Sequence, residues 1–197
     1  MGLCLLTRHA QSELNVSRRV NGDPGVHVQL TPTGEAEALA LGMQVANVAL
    51  DLCVHTRFGR TRRTAELALA GREIPFAEEP LLDDIDVGDL EGRTIEDYRA
   101  WKHQHGRDQR FPSGESLDEA ARRYAAALRR LVERPERRIL VVCHEIPVRY
   151  ALNAALGSDS LDAPAHEIGN CVLYVFDDAG LERAVTGIES LVSASAE

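Results

Sequence analysis

Four short apolar runs are spaced along the chain, and none of them alternates with polar residues. They cover Leu3–Thr7, Leu50–His55, Ile139–Cys143 and Cys171–Phe176. Continuous apolar character over five or six residues is typical of strands buried on both faces, as in a parallel sheet covered by helices. The pattern therefore predicts a buried, mainly parallel sheet.

Between these runs, apolar residues recur at helical spacing. The predicted helices are Thr33–Val48, Arg60–Ala70, Ser116–Val132 and Ile146–Leu156. The third begins with a capping box at Ser116, a typical helix start signal. The first helix, Thr33–Val48, is predicted to have one apolar face, made of Ala36, Leu39, Ala40, Met43 and Ala46. Strands that alternate with helices predict an α/β fold: a three-layer sandwich with helices on both faces of the sheet.

One stretch, residues 84–115, fits neither a strand nor a helix pattern. It is rich in glycine, charged residues and histidine, and we call it the lid segment, since long excursions of this kind often shape substrate sites. No linker or repeat divides residues 1–197, so the sequence predicts a single domain with a lid-like insertion. Only the Ser/Ala-rich tail after Leu191 has the composition of a disordered end.

Charge and cysteine usage narrow the function classes. The net charge of −9 argues against a general binder of nucleic acid or of membrane surfaces. The apolar runs are far shorter than the roughly 20 residues that cross a bilayer. The four cysteines, Cys4, Cys53, Cys143 and Cys171, each lie in an apolar run without a CxxC pair. They are predicted to be buried thiols in a reducing, cytoplasmic setting, with a disulfide framework or zinc site as the alternative.

Two histidines follow predicted strands directly. His9 comes after the first strand, within Thr7-Arg8-His9, and His144 comes immediately after the strand Ile139–Cys143. Because ligands of open α/β sheets bind outside the carboxyl ends of the strands, we expect both imidazoles at one edge of the sheet. A third strand leads into the arginine-rich start of a helix, which includes Arg60. Cations gathered at strand ends and a helix start predict an oxyanion pocket.

Six segments, in order along the chain, match a known family pattern. They are Arg8–Asn15 (R-H-A-Q-S-E-L-N), Val20–Gly22 with Leu30–Gly34, Arg60–Ala65, Leu82–Gly92, Ser113–Ser116 and Val141–His144. Together they resemble the phosphoglycerate mutase-like histidine phosphatase superfamily, whose signature reads R-H-G-x-[TS]-x-x-N. The resemblance covers about residues 3–176 and implies a hydrolase that acts on a small-molecule phosphate ester without metal or cofactor.

The resemblance also implies residue roles. His9 would be the nucleophile and pass through a phosphohistidine intermediate. Arg8, Arg60 and His144 would bind the transferring phosphoryl group. Asp84 stands where the family has its general acid, normally glutamate. The remaining residues implied to bind substrate or phosphate are Asn15, Asn21, Gly22 and Glu145.

The chain departs from the family pattern at three positions. Ala10 replaces a glycine, although its carbonyl can still hold the His9 ring. Asp84 is one methylene shorter than glutamate, which leaves three other carboxylates open as the acid: Asp83, Asp86 and Glu91. Glu145 replaces the glycine that usually follows the second histidine. It could tune His144, select a substrate that carries a cation, or simply favour the start of a helix.

Several alternatives stay open or are set aside. A phosphoglycerate-type mutase uses the same residues as a phosphatase, and a catalytically silent binder of a phosphorylated ligand would keep the same pocket. A zincin motif at His144-Glu145 is excluded because Val148 stands where its second histidine is needed. His103 and His105 are interpreted as solvated residues of the lid segment rather than metal ligands. The natural substrate is left open, as is a possible homo-oligomer.

Overall fold

The computed structural model describes residues 2–163 and 168–194, and within them five strands form one sheet. The strands are β1 (Leu3–Arg8), β2 (Leu52–His55), β3 (Phe76–Glu78), β4 (Arg138–Cys143) and β5 (Leu173–Asp177). Their order across the sheet is β3-β2-β4-β1-β5, and all neighbours are parallel except β5, which runs antiparallel to β1.

Helices connect and cover the strands. They are α1 (Glu13–Val16), α2 (Pro32–Gln44), α3 (Gly59–Ala68), α4 (Ile95–Gln104), α5 (Leu117–Glu133), α6 (Glu145–Ala155) and α7 (Asp178–Ala194). Short 3₁₀ turns occur at Pro80–Leu82 and Gly88–Leu90. Among the described helices, none is long and apolar enough to span a membrane.

The sheet separates two apolar cores. On one face, Leu5, Cys53 and Leu140 pack with residues of α2 and α3. On the other, alternate residues of the same strands pack with α5, α6 and α7, around the fully buried Tyr124 and Tyr150. Alternation of strand side chains between two helical layers defines a three-layer sandwich. The predicted α/β fold with a mainly parallel sheet is therefore confirmed.

The helix boundaries largely follow the predicted signals. Ser116 caps α5 with the predicted capping box, since its side chain accepts from the Glu119 amide while the Glu119 carboxylate accepts from the Ser116 amide. Pro147 lies in the first turn of α6, where a missing N–H costs nothing. Elsewhere the helices differ from the prediction at their ends: α2 stops at Gln44 rather than Val48, and α3 at Ala68 rather than Ala70.

The predicted buried face of α2 is wrong. Leu39 and Met43 are 52% and 75% exposed, whereas Gly34, Ala38 and Leu41 face the core. The reason is close backbone packing. A Cβ on Gly34 would lie 2.0 Å from the carbonyl oxygen of Gln11, so the helix approaches the core on the side of this glycine, where Leu41 is fully buried.

At the edge of the sheet, the fourth predicted strand is confirmed as β5, but its bounds and its burial differ from the prediction. The strand begins at Leu173 rather than Cys171 and lies at the sheet edge, where Val175 is 64% exposed instead of buried on both faces. The short strand β3 and the helices α1, α4 and α7 were not predicted. Helix α7 includes residues 192–194, part of the stretch expected to be disordered, while residues 195–197 of that prediction lie outside the described chain.

Candidate active site

The two predicted histidines lie side by side at the carboxyl edge of the sheet. Strands β1 and β4 are hydrogen-bonded neighbours, with Arg8 opposite Cys143 at their ends. The next residue on each strand is a histidine, and the amide of His9 donates to the carbonyl of Cys143 over 2.9 Å. The ring centroids of His9 and His144 are 5.5 Å apart, and the residues are only 2% and 0% exposed.

The imidazole of His9 is held in one orientation. Its Nδ1 lies 2.7 Å from the carbonyl oxygen of Ala10, so Nδ1 carries the proton and donates. This confirms that alanine can replace the family glycine here without losing the contact. The unprotonated Nε2 faces the Nε–H of Arg60 at 3.0 Å. Burial, followed by the nearby charges of Arg60 and Arg8, holds the pKa of His9 well below its usual value.

Arg60 is the centre of the polar network. It lies in the first turn of α3 and is 4% exposed. Its guanidinium stacks on the Phe58 ring, with Cζ 4.3 Å from the centroid. One amino group, Nη2, is 3.1 Å from Nδ1 of His144 and 3.2 Å from the carboxylate of Asp84. Arg60 thus brings both histidines and the acidic residue into one cluster.

His144 is fixed by residues that the sequence analysis missed. Its Nε2 lies 3.0 Å from Oγ1 of Thr56, whose hydroxyl is 2.9 Å from that of Thr61. The edge of Phe58 packs against the imidazole with ring centroids 4.6 Å apart. Burial, together with the charge of Arg60, lowers the pKa of His144 well below its usual value. The ring is therefore neutral in the free protein, and its unprotonated Nδ1 faces Nη2 of Arg60 and Oδ2 of Asp84.

Arg8 approaches the cluster from the end of β1. Its Nη1 donates to the carbonyl of Ile168 over 3.1 Å and pairs with the carboxylate of Glu145 over 2.9 Å. Its Nε is buried and has no hydrogen-bond partner among the described residues. An unsatisfied buried guanidinium N–H next to a cavity is a donor that a bound anion can use.

Of the four carboxylates considered as the acid, Asp84 lies nearest to the histidines. Its Oδ2 is 3.4 Å from Nδ1 of His144. Burial raises the pKa of Asp84 above its ordinary value, although the charge of Arg60 opposes this. Asp83 instead binds the backbone and side chain of Arg57. Asp86 is exposed and bonds to the Gly88 amide.

The fourth carboxylate supports the loop that carries two predicted binding residues. Glu91 accepts from the Asn21 side chain at 2.8 Å and from the Gly22 amide at 2.6 Å. Asn21 in turn accepts from Arg60 through its side-chain oxygen and its carbonyl. Gly22 has no room for a side chain, since a Cβ would lie 2.1 Å from the carbonyl of Ile85. Asn15 closes the capping box of α1 with Ser12 and also lines the cavity described next.

A cavity of about 590 Å³ opens above this cluster. Helix α4, within the lid segment, forms one wall with Ile95, Tyr98, Arg99 and Lys102. Tyr98 and Trp101 stack on Phe111, with centroids 5.5 and 4.1 Å away, as expected for lid packing. The floor and remaining walls include Arg8, His9, Asn15, Asn21, Gly22, Arg60, Asp84, Glu145, Ile146 and Arg149.

The four cysteines and His105 lie outside the cavity, whereas His103 of α4 lines it. All four cysteines are free and buried, as predicted. Burial raises the pKa of the Cys143 thiol to about 12, so the thiol is unreactive at neutral pH. His105 is bonded to the Trp101 carbonyl and stacked on its ring. Across residues 2–163 and 168–194, histidine, cysteine and carboxylate side chains form no group of three or more that could hold a metal ion.

Comparison with known proteins identifies the family. The family model for "Histidine phosphatase superfamily (branch 1)" matches residues 4–189. The chain belongs to the histidine phosphatase superfamily. A curated relative from Salmonella arizonae, the "Probable phosphoglycerate mutase GpmB", is 30% identical over 180 residues, which cover 87% of this chain and 83% of the relative.

Solved histidine phosphatases share the fold. The alpha-ribazole phosphatase from Shigella flexneri matches with a TM-score of 0.78 and 24% identity, over 89% of this chain and 90% of that one. A mycobacterial glucosyl-3-phosphoglycerate phosphatase, solved with VO3, matches with a TM-score of 0.74 and 21% identity, over 89% and 92%. The predicted family and the prediction of a histidine phosphatase enzyme are therefore confirmed.

Proposed function

We propose that this histidine phosphatase hydrolyses a phosphomonoester of a small metabolite, without a metal ion, through a phosphohistidine on His9. The observation that carries the proposal is the unprotonated Nε2 of His9, which lies 3.0 Å from a buried guanidinium on a histidine that lines a large cavity. A neutral imidazole beside fixed cations is suited to attack on a bound phosphoryl dianion.

The first half-reaction transfers the phosphoryl group to the protein. Nε2 of His9 forms a bond to phosphorus while the bond between phosphorus and the leaving oxygen breaks. Asp84 gives its proton to that oxygen, so the product leaves as an alcohol. In the second half-reaction a water gives its proton to Asp84 and attacks phosphorus, the bond to Nε2 breaks, and inorganic phosphate leaves.

The positive charge for this chemistry comes from side chains of the pocket. Arg8 and Arg60 supply guanidinium donors to the phosphoryl oxygens, as preorganised electrostatic stabilisation requires. His144 is neutral in the free protein, but a bound dianion favours its protonated form. Its Nδ1–H then becomes a further donor to the phosphoryl group, while Thr56 continues to hold Nε2.

The proposed roles set the pH dependence. His9 reacts only when neutral, and its lowered pKa keeps it neutral as the pH falls below the ordinary histidine range. Asp84 must start protonated, and its raised pKa keeps the proton to higher pH than an ordinary aspartate would. The rate therefore rises with pH through the pKa of His9 and falls with pH through the pKa of Asp84.

The cavity supports a leaving group of metabolite size. Its volume of about 590 Å³ lies within the range of sites that enclose small organic ligands. The wall combines apolar side chains such as Ile95 and Ile146 with polar ones such as Lys102.

The predicted exclusion of nucleic-acid and membrane partners belongs to the same proposal, and so does a cytoplasmic location, in which the four free thiols stay reduced.

A mutase is the second candidate, because the 30% identical relative is described as a probable phosphoglycerate mutase. A mutase returns the phosphoryl group from His9 to a bound acceptor instead of to water. Both candidates share every residue named above. They differ in the fate of the phosphohistidine.

The test is turnover by the purified protein. We expect it to release phosphate from an aryl phosphate at the same rate with and without a strong chelator. Incubation with 3-phosphoglycerate should give phosphate and glycerate, whereas formation of the 2-phospho isomer would favour the mutase. Absence of turnover on a panel of phosphorylated metabolites, with orthophosphate binding retained, would instead identify a silent binder.

A further inference from the structure

Glu145 places a carboxylate beside Arg8, one of the residues proposed to bind phosphate, at a position where the family usually has glycine. It is the first residue of α6, directly after His144, and it lines the cavity. Its side chain is 34% exposed. A carboxylate here works against the binding of a phosphoryl dianion, so its presence calls for a physical account. The inference that follows rests on the proposed function.

Both oxygens of Glu145 are engaged by arginines. Oε2 pairs with Nη1 of Arg8 over 2.9 Å, and Oε1 pairs with Nη2 of Arg149, one helical turn along α6. Each of these guanidiniums also has a buried Nε without a hydrogen-bond partner among the described residues. Both arginines line the cavity. The carboxylate therefore holds one amino group of each guanidinium at the wall of the cavity, while the Nε of each has no acceptor among the described residues.

Two acceptors bind the same amino group of Arg8. The same Nη1 that pairs with Glu145 also donates to the carbonyl of Ile168. A planar guanidinium fixed at one amino group by two acceptors has little rotational freedom left at its remaining N–H groups. Without the carboxylate, Nη1 would keep only the Ile168 carbonyl as an acceptor among the described residues.

We propose that Glu145 is a positioning residue: it holds Arg8 in its phosphate-binding orientation, and its ion pair with Arg149 fixes the carboxylate in turn. Its negative charge also offsets part of the positive charge of the pocket, which weakens the binding of product phosphate. The helix-start interpretation does not require the contact with Arg8, and a site for a substrate cation would require a free carboxylate, whereas this one is already paired twice.

Two substitutions separate position from charge. Glu145→Gln keeps an oxygen that accepts from Arg8 but removes the negative charge. Glu145→Ala removes both. Glu182→Gln is the matched control, because Glu182 is exposed on α7 and its loss changes the net charge of the chain by the same amount.

The measurement is orthophosphate binding by calorimetry, together with KM for an aryl phosphate. We expect Glu145→Gln to bind orthophosphate on the order of five-fold more tightly than the unmodified protein, because a nearby negative charge is gone. Glu145→Ala should bind orthophosphate at least about three-fold more weakly than Glu145→Gln, and its KM should exceed that of Glu145→Gln by a similar factor, since Arg8 has lost an acceptor. Glu182→Gln should match the unmodified protein in both.

The outcomes decide the proposal either way. Equal binding by the Gln and Ala variants would overturn the positioning role, and binding by Glu145→Gln no tighter than that of the unmodified protein would overturn the charge role. If Glu145→Ala does not fold, Glu145→Gln alone decides the charge role, and Glu145→Asp decides the positioning role: the shortened carboxylate should raise KM, and an unchanged KM would overturn it. Orthophosphate binding needs no turnover, so loss of the proposed catalytic function would be seen separately.

Discussion

Asp84→Asn should lower kcat on an alkyl phosphate by about 10²–10⁴-fold, the usual contribution of a general acid. On an aryl phosphate, whose phenolate leaves without a proton, the loss should stay within about ten-fold. Asparagine keeps the size of the side chain and a contact to Arg60, but it has no proton to give. The measurement is kcat for a matched pair of alkyl and aryl esters on the same protein preparation.

Asp86→Asn is the control for this prediction. Asp86 is exposed and lies two residues from Asp84, but it does not line the cavity above His9. It should leave both esters unaffected. Equal losses on the alkyl and aryl esters in Asp84→Asn would reject the acid role and assign Asp84 to the organisation of Arg60 and His144 instead.

Arg60→Met should reduce kcat/KM by about 10³-fold for every leaving group, in the range found when one preorganised oxyanion donor is removed. Methionine fills the space beside Phe58 but supplies no donors. The substitution also removes the guanidinium that faces Nε2 of His9, so the pKa of that histidine rises. The acid limb of the rate profile therefore moves to higher pH, and this shift is measured over a full pH series.

Arg62→Met serves as the comparison, because Arg62 lies on the same helix, has a side chain that is 66% exposed and, among the described residues, forms an ion pair only with Glu66. It should leave both kcat/KM and the acid limb unchanged. A loss in Arg60→Met confined to one type of leaving group would contradict a role in binding the phosphoryl group. An unmoved acid limb would show that Arg60 does not control the protonation of His9.

The continuous apolar runs were sufficient to predict the sheet. Strands β1, β2 and β4 are buried along most of their length and consist mainly of consecutive apolar residues, with polar residues only near their ends, so the signal does not depend on period. The edge strands carry a weaker signal. Strand β3 has only three residues, with Phe76 41% exposed, and β5 has its outer face in solvent. The sequence therefore indicates the centre of the sheet better than its edges.

Helix α2 shows why an apolar stripe can mislead. Leu39 and Met43 dominate the hydrophobic pattern, yet they are exposed, because the face that carries Gly34, Ala38 and Leu41 packs on the core and a side chain at Gly34 would meet the Gln11 carbonyl. Helix α7 was not predicted from the sequence because its glycines, threonine and serines have weak helix propensity. Burial of Leu181, Ala184 and Ile188 against α5 and α6 supplies the stability instead.

In the candidate site, the sequence predicts residues that follow strands and misses those that support them. His9 and His144 follow directly from the strand ends, because parallel strands deliver their carboxyl ends to one edge. Thr56 and Phe58 fix His144 but belong to no motif that a single sequence displays. Arg8 and the carbonyl of Ile168 are 160 residues apart in the sequence, and they become neighbours because β5 pairs with β1 in the folded sheet.

The most direct test of the central claim is to trap the covalent intermediate. In a rapid-quench single turnover with phosphorus-labelled aryl phosphate, the protein should carry label before phosphate is released. After proteolysis at arginine, the label should lie on the peptide His9–Arg18 and should be lost in acid but kept in base, as expected of phosphohistidine rather than phosphoserine. Full turnover with no label on this peptide, at any time before product release, would contradict the account.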